Sequence, residues 1–218
     1  FAHAGFVADE VAPKQKAAAL AKELVGREAV AELVGQWKFE ELISRLERVG
    51  REGNMLFNRV PRQGDLAILY RVQAQGQQEM GEFAQQVQRL LYGQRSSPER
   101  VQAFATYALE NHLPNRWPFA TYFLFLTQPQ TELFVKPQVA RWFLRWVGQG
   151  TLYEATPSGR LYGLLRGYAQ GLLAALEPLG ARDMVDVQSF LWVCARESRG
   201  RVGRLNARGQ VELGTGYE

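Results

Sequence analysis

Apolar residues recur every three or four positions along much of the chain, which is the periodicity of an amphipathic α-helix. From residue 14 to residue 34, Ala, Leu, Val and Glu dominate and favour another helix, interrupted near Gly26. The chain is therefore predicted to be a mostly α, multi-helix globular domain. The clearest helices are predicted at residues 37–50, 77–92, 98–111, 137–148 and 157–177.

The middle of the chain breaks this regular pattern. Residues 113–118 hold two prolines, which a helix interior accommodates only at a cost. Residues 119–126 are apolar on every face, so they are expected to be buried. The helix that opens at Pro137 is predicted to turn one apolar stripe inward and to carry two arginines on its other side. That stripe is Val139, Trp142, Phe143, Trp146 and Val147, and the arginines are Arg141 and Arg145.

Three segments are predicted from the distribution of breakers and charges. Residues 1–13 read as a flexible N-terminus, residues 14–195 as the helical domain with a possible internal boundary near 93–97, and residues 196–218 as an Arg-rich tail. Within the tail, residues 202–213 fit either a short β-hairpin or a flexible basic arm. Asp183 is expected to cap the last helix of the domain.

Composition restricts the class of protein further. The 218 residues carry a net charge of +4, with a pI of about 9.3 and a single cysteine, Cys194. No apolar run approaches the roughly 18 residues that a transmembrane helix needs, and the N-terminus lacks the pattern of a secretory signal. A lone cysteine forms no intramolecular disulfide and fits a reducing compartment. These features predict a soluble, cytoplasmic protein.

Recognisable catalytic and cofactor motifs are missing from the sequence. There is no phosphate-binding loop and no Gly-x-Gly-x-x-Gly, and the only zinc-type ligands are His3, His112 and Cys194. A dyad of Cys194 and His112 is conceivable, but a structural cysteine and a loop histidine explain the same residues. We therefore expect no enzyme activity, no cofactor and no metal.

One pair of carboxylates leaves two interpretations open. Asp183 and Asp186 are three residues apart and can share a helix face. They could form an unfamiliar catalytic centre with Arg182. Alternatively, Asp183 caps the helix and Asp186 lies on its solvated first turn, where the helix dipole favours an anion.

Basic residues accompanied by aromatic rings point to nucleic-acid binding, since cations contact phosphates and rings stack on bases. We expect Trp117 and Trp37 to be the tryptophans most exposed to a ligand, whereas the other rings fit the core equally well. Each basic group also has a structural interpretation, as a linker, a solvated turn or a charged helix face. The candidate residues are Arg59 and Arg62 in a loop, Arg116, Trp117, Lys136, Arg141 and Arg145 in the middle, and Arg199, Arg201 and Arg204 in the tail.

Three strings of residues together resemble the N-terminal region of bacterial AAA-type ATPases of the McrB restriction class. They are residues 113–118 (LPNRWP), 134–137 (FVKP) and 182–193 (RDMVDVQSFLWV). The resemblance covers roughly residues 37–195. It implies a DNA-recognition module that serves an ATP- or GTP-driven motor and a nuclease subunit. Because the chain has no motor motif, it is either an N-terminal domain taken from such a motor protein or a stand-alone relative.

The resemblance and the residue patterns support the same leading hypothesis. The chain is predicted to be a non-catalytic nucleic-acid-recognition module, with DNA as the expected partner, in a bacterial restriction or defence system. The alternative is a helical protein-interaction or scaffold domain whose Arg-rich tail only links domains. Some modules of the resembled class flip bases out of DNA, but no residue here can be assigned that role.

Overall fold

The structure, a computed structural model, describes residues 1–57, 63–200, 204–205 and 211–212, with side chains for residues 1–57 and 63–198. The protein has an all-α fold, as predicted. The helices are α1 (Ala4–Phe6), α2 (Ala12–Val25), α3 (Arg27–Gly35), α4 (Phe39–Glu52), α5 (Ala67–Gln75), α6 (Gln77–Tyr92), α7 (Ser97–Glu110), α8 (Trp117–Thr127), α9 (Pro137–Trp146), α10 (Gly159–Leu176) and α11 (Met184–Gly200).

Helix α8 forms the centre of the core. Ten of its eleven residues, Trp117 to Leu126, are buried, which confirms the burial expected for a segment that is apolar on every face. Helices α2, α6 and α7 pack around it. Rings from several helices contact each other there: Phe119 stacks on Phe104 at 5.8 Å and meets Phe123 edge-on at 5.2 Å. A helix this apolar is stable only inside such a shell.

Polar groups inside this core are satisfied by specific hydrogen bonds. The Thr121 hydroxyl donates to the Trp117 carbonyl and accepts from the Val135 amide at 3.0 Å. This second bond fixes the extended segment before α9, which is buried from Glu132 to Val135. This bond holds the beginning of α9 next to the first turns of α8, and a cleft opens where the two helices begin.

Residues 1–13, which were predicted as a flexible N-terminus, are mostly helical. This segment is helical from Ala4, through a π-helical turn at Val7–Val11, into α2. This turn packs against α11, where the Ser189 hydroxyl donates to the Glu10 carbonyl at 3.1 Å and Val11 is buried. The contact with α11, which is distant in sequence, supplies the stabilisation that local sequence does not reveal.

Two other segment boundaries also differ from the prediction. The last helix continues to Gly200, so the first residues of the predicted tail at 196–200 are helical. Residues on both sides of 93–97 belong to one hydrophobic core, so that connection is a turn within one domain. In the tail, the backbone of Arg204–Leu205 pairs antiparallel with that of Val211–Glu212. The choice between a hairpin and an arm stays a prediction, because the residues between lie outside the described ones.

Helix ends follow the predicted capping chemistry with small shifts. Helix α7 begins at Ser97, and Ser96 with Glu99 forms its capping box. Asp183 accepts hydrogen bonds from the amides of Val185 and Asp186, as expected for the cap of α11.

Candidate nucleic-acid interface

A cleft of about 490 Å³ opens where α8 and α9 begin. We call it the aromatic cleft, because four aromatic side chains line it together with two cations and one carboxylate. Its size falls within the range of small-molecule sites, and its mixture of rings and few polar groups is typical of them. Its aromatic and charged lining residues are Phe57, Asp65, Arg116, Trp117, Phe134, Lys136 and Trp192.

The local sequence explains why Arg116 and Lys136 lie at the N-termini of α8 and α9. Each helix has a proline in its first turn, Pro118 in α8 and Pro137 in α9, where the missing amide hydrogen costs nothing. Lys136 directly precedes Pro137, which favours its extended conformation. Arg116 lies two residues before Pro118, as the N-cap of α8, and is also extended. Both therefore project at a helix start, in the positive field of the helix dipole, which favours an anionic ligand between them.

Lys136 is a cation of the cleft that contacts two aromatic rings and has a lowered pKa. Its ammonium lies over the ring of Trp192 at 4.3 Å and over that of Phe134 at 5.5 Å. Burial lowers the pKa of Lys136 to about 8; the charge of Lys14 acts in the same direction, and Asp65 and Glu10 oppose it. At neutral pH the side chain is therefore a cation held by ring faces.

Asp65 lies at the edge of the cleft and is paired with Phe57. Its carboxylate accepts from the Phe57 amide, and its own amide donates to the Phe57 carbonyl at 2.8 Å. Burial raises the pKa of Asp65, while the Phe57 hydrogen bond, Arg116 and Lys136 oppose the rise. The predicted loop candidates Arg59 and Arg62 lie outside the described residues. Phe57, which comes before them in the chain, and Asp65, which comes after them, line this cleft.

The outer face of α9, defined by Arg141, Trp142, Arg145 and Trp146, carries the second half of the candidate interface. Trp142 and Trp146 stack nearly parallel, with ring centroids 5.9 Å apart. Trp146 is 58% exposed, so the prediction that it faces the core is wrong. The buried residues of α9 are instead Val139, Ala140, Phe143 and Leu144, because the helix is rotated and Trp146 gains its contacts from neighbouring rings.

A short connection joins this face to the aromatic cleft. The Arg141 guanidinium lies 4.5 Å from the ring centre of Tyr153. In the next residue, the Glu154 carbonyl accepts a hydrogen bond from the Trp117 indole at 2.8 Å, and Ala155 lines the cleft. Residues 153–155 thus link Arg141 of α9 to the cleft.

The structure contradicts the expected exposure of Trp117, and it places other aromatic rings at the candidate interface. Trp117 is 1% exposed, because its indole N–H is committed to the protein backbone, so it forms the cleft floor and does not present a free stacking face. Trp192, Phe57 and Tyr153 were not proposed from sequence. Trp192 lies in the run that carries the family resemblance, which was the available signal, whereas a helical pattern alone does not distinguish it from a core residue.

The predicted residues fall into three groups. Arg116, Trp117 and Lys136 come together in the cleft, and Arg141 and Arg145 are exposed on the adjoining face. For the tail, α11 includes the backbone of Arg199 and β1 that of Arg204. The side chains of both, and all of Arg201, lie outside the described residues, as do Arg59 and Arg62.

The alternative catalytic interpretations find little chemical support. Asp186 is fully buried rather than solvated, and its oxygens accept from the Arg182 guanidinium at 2.8 and 3.0 Å and from the Arg182 amide at 2.9 Å. The Asp186 carboxylate is therefore paired with Arg182 inside the fold. Burial raises the pKa of the Cys194 thiol, which is opposite to the activation of a nucleophilic cysteine.

The described part of the chain holds no group of three or more His, Cys, Asp or Glu side chains arranged to bind a metal ion. Within the same residues, no helix is both long enough and apolar enough to cross a membrane. Comparison with protein-family models, with curated proteins and with solved structures finds no match for this chain.

Proposed function

We propose that the chain is a non-catalytic nucleic-acid-recognition module that binds DNA. The observation that carries this proposal is the set of rings and cations in the aromatic cleft and on the outer face of α9, which residues 153–155 connect. Bases can stack on exposed rings such as Trp146, while Arg141 and Arg145 contact phosphates. The net charge of +4 adds a weak long-range attraction for a polyanion.

The resemblance noted in the sequence extends this proposal to a biological setting. On that basis the module serves a cytoplasmic restriction or defence system, in which a separate AAA-type motor and a nuclease subunit carry out the chemistry. A phosphate-binding loop encoded after Glu218 in the gene would support the motor association. A stop codon at that position would favour a stand-alone relative.

The test is fluorescence anisotropy with labelled single- and double-stranded DNA, modified and unmodified, over a series of salt concentrations. Changing Arg141 and Arg145 together to Gln should weaken binding and reduce the salt slope by about 1.4 for single strands or about 1.8 for duplex. The matched control changes Arg48 and Arg51 of α4, which form ion pairs with Glu52 and Glu47, and removes the same charge.

Two further variants extend the same assay. Trp146→Ala should weaken single-strand binding by about 1–3 kcal/mol if a base stacks on this ring. Neutralising Arg199, Arg201 and Arg204 should weaken binding if the tail contacts phosphates. The proposal fails if the wild-type chain binds none of the DNAs at low salt, or if the α9 and α4 double variants weaken binding equally.

A second candidate function, a protein-interaction or scaffold domain, is favoured by a different surface. Trp37 is 79% exposed and lines a groove of about 570 Å³ beside Phe39 and Gly81. Exposed tryptophans are enriched at the energetic centres of protein interfaces. Light scattering and a pull-down from the native host would support this function if a stable complex forms without nucleic acid and Trp37→Ser abolishes it.

A further inference from the structure

Lys136 differs from the other lysines of the chain in its surroundings. Its Nζ lies over the rings of Trp192 and Phe134 in an open cleft. Among the described acids, none forms an ion pair with it. Burial disfavours the charged form of such an amine, while the two ring faces stabilise it.

The charged groups around Lys136 act in both directions. On α2, Lys14 is buried and paired with Glu10 at 3.2 Å, and its positive charge disfavours a second ammonium nearby. Asp65 and Glu10 favour the ammonium of Lys136, but burial outweighs them, and the pKa falls to about 8. Arg116 adds a further positive charge to the same cleft. About a tenth of the amine is therefore neutral at pH 7, and the neutral form is the nucleophile.

We propose that Lys136 is a carbonyl-reactive lysine whose Nζ forms an imine with the aldehyde group of a planar, anionic small molecule held in the aromatic cleft. The rings of Trp192 and Phe57 can cover a planar ligand, and Arg116 can pair with its anionic group. The cleft volume of about 490 Å³ accommodates a single ring with its substituents. This inference does not depend on the binding of DNA.

The chemistry balances without any oxidant or reductant. The neutral amine attacks the carbonyl carbon, which forms a C–N bond and, after proton transfer from nitrogen to oxygen, a carbinolamine. The carbinolamine then loses its hydroxyl group and the remaining nitrogen-bound hydrogen as one water molecule, and a C=N bond is left. The carboxyl group of Asp65 lies in the same cleft, and its raised pKa suits it to give a proton to the departing hydroxyl and to take one back from nitrogen.

The expected preference of an aldehyde for Lys136 over an exposed lysine follows from the fraction of each amine that is neutral. At pH 7 this fraction is about 10% for a pKa of about 8, and ~0.04% for an ordinary lysine of pKa about 10.4. The roughly 250-fold advantage is reduced about tenfold, because a less basic nucleophile is intrinsically less reactive. Lys136 should therefore react about 20 times faster than an exposed lysine.

The chain contains five lysines, so the site of reaction can be mapped directly. The intact protein is treated with pyridoxal 5′-phosphate at pH 7, the adduct is trapped with borohydride, and peptides are quantified by mass spectrometry. Lys16, Lys22 and Lys38 are exposed and serve as internal controls, while Lys14 is buried and ion-paired. We expect Lys136 to be labelled first, with a half-maximal rate near pH 8.

Two comparisons extend the test to the ligand class. Pyridoxal without the phosphate should label Lys136 more slowly, and Arg116→Gln should remove that difference. Lys136→Met should abolish the fast phase of labelling, whereas Lys38→Met should leave it unchanged. Labelling of wild-type Lys136 no faster than that of the three exposed lysines, or a half-maximal rate near pH 10, would overturn the proposal whether or not the chain binds DNA.

Discussion

The buried carboxylate of Asp186 provides the most direct test of how the structure is held together. Its side chain is fully buried, and it accepts two hydrogen bonds from the Arg182 guanidinium and one from the Arg182 amide. Replacing it with Asn keeps the shape of the side chain. However, the new amide nitrogen would face a donor of Arg182, so at least one of these bonds is replaced by a repulsive contact.

The size of the effect can be worked out from these contacts. A hydrogen bond to a charged group contributes about 1.5–3 kcal/mol, and removing one partner of a fully buried ion pair costs about 3–5 kcal/mol. The Arg182 side chain is 58% exposed, so water compensates part of its loss. We therefore expect Asp186→Asn to lower the free energy of unfolding by about 2 kcal/mol, or the melting temperature by about 4–8 °C.

The assay is urea and thermal unfolding followed by helical circular dichroism. Asp183→Asn is the matched control, because it removes the same charge three residues away and Asn caps a helix about as well as Asp. We expect the control to change stability by less than about 0.5 kcal/mol. If Asp186→Asn destabilises no more than Asp183→Asn, the buried hydrogen bonds do not stabilise the fold as argued.

Two further predictions concern packing and pH. Gly53→Ala should destabilise the protein by about 1–3 kcal/mol in urea unfolding, because the added methyl would overlap the buried Tyr122 hydroxyl. Gly35→Ala is the control: its added methyl meets no atom within 4 Å, so the change should be neutral or stabilising. Equal effects of the two variants would contradict this packing. Lys136 has a folded pKa of about 8, below its unfolded value, so the unfolded chain binds the proton more tightly at pH 8–10.4. The free energy of unfolding of the wild type, relative to that of Lys136→Met, should therefore rise by up to about 3 kcal/mol across that range. Parallel pH profiles of the two free energies would refute the lowered pKa of Lys136.

Much of the helical framework could be predicted from local patterns. Helix α6 spans Gln77–Tyr92, the range predicted from its apolar spacing and the glycine that follows it. The burial of residues 119–126 also followed from sequence, because a helix without a polar face has no stable position at a surface. These predictions succeed because each depends on the spacing or chemistry of residues close together in the chain.

The candidate interface could be predicted only in part. Arg116 and Lys136 were selected as basic residues near rings, but nothing in the sequence indicated that they face one cleft. That arrangement depends on the Thr121 hydrogen bond to the Val135 amide, which holds the starts of α8 and α9 together. The expectation for Trp117 failed for a related reason, since its indole N–H finds a partner in Glu154, 37 residues away.

By itself, the sequence determined the helical class, most helix boundaries and the burial of the central segment, since period, capping and hydrophobicity act over one or two turns. Tertiary structure alone decided which faces of those helices are buried, which are exposed and which contact each other. The rotation of α9 exposes Trp146, packing against α11 orders the N-terminal turn, and the ring of Trp192 meets the ammonium of Lys136. Each of these outcomes depends on which distant surfaces meet when the core closes, and the free energy of that choice is shared among contacts that are far apart in the chain.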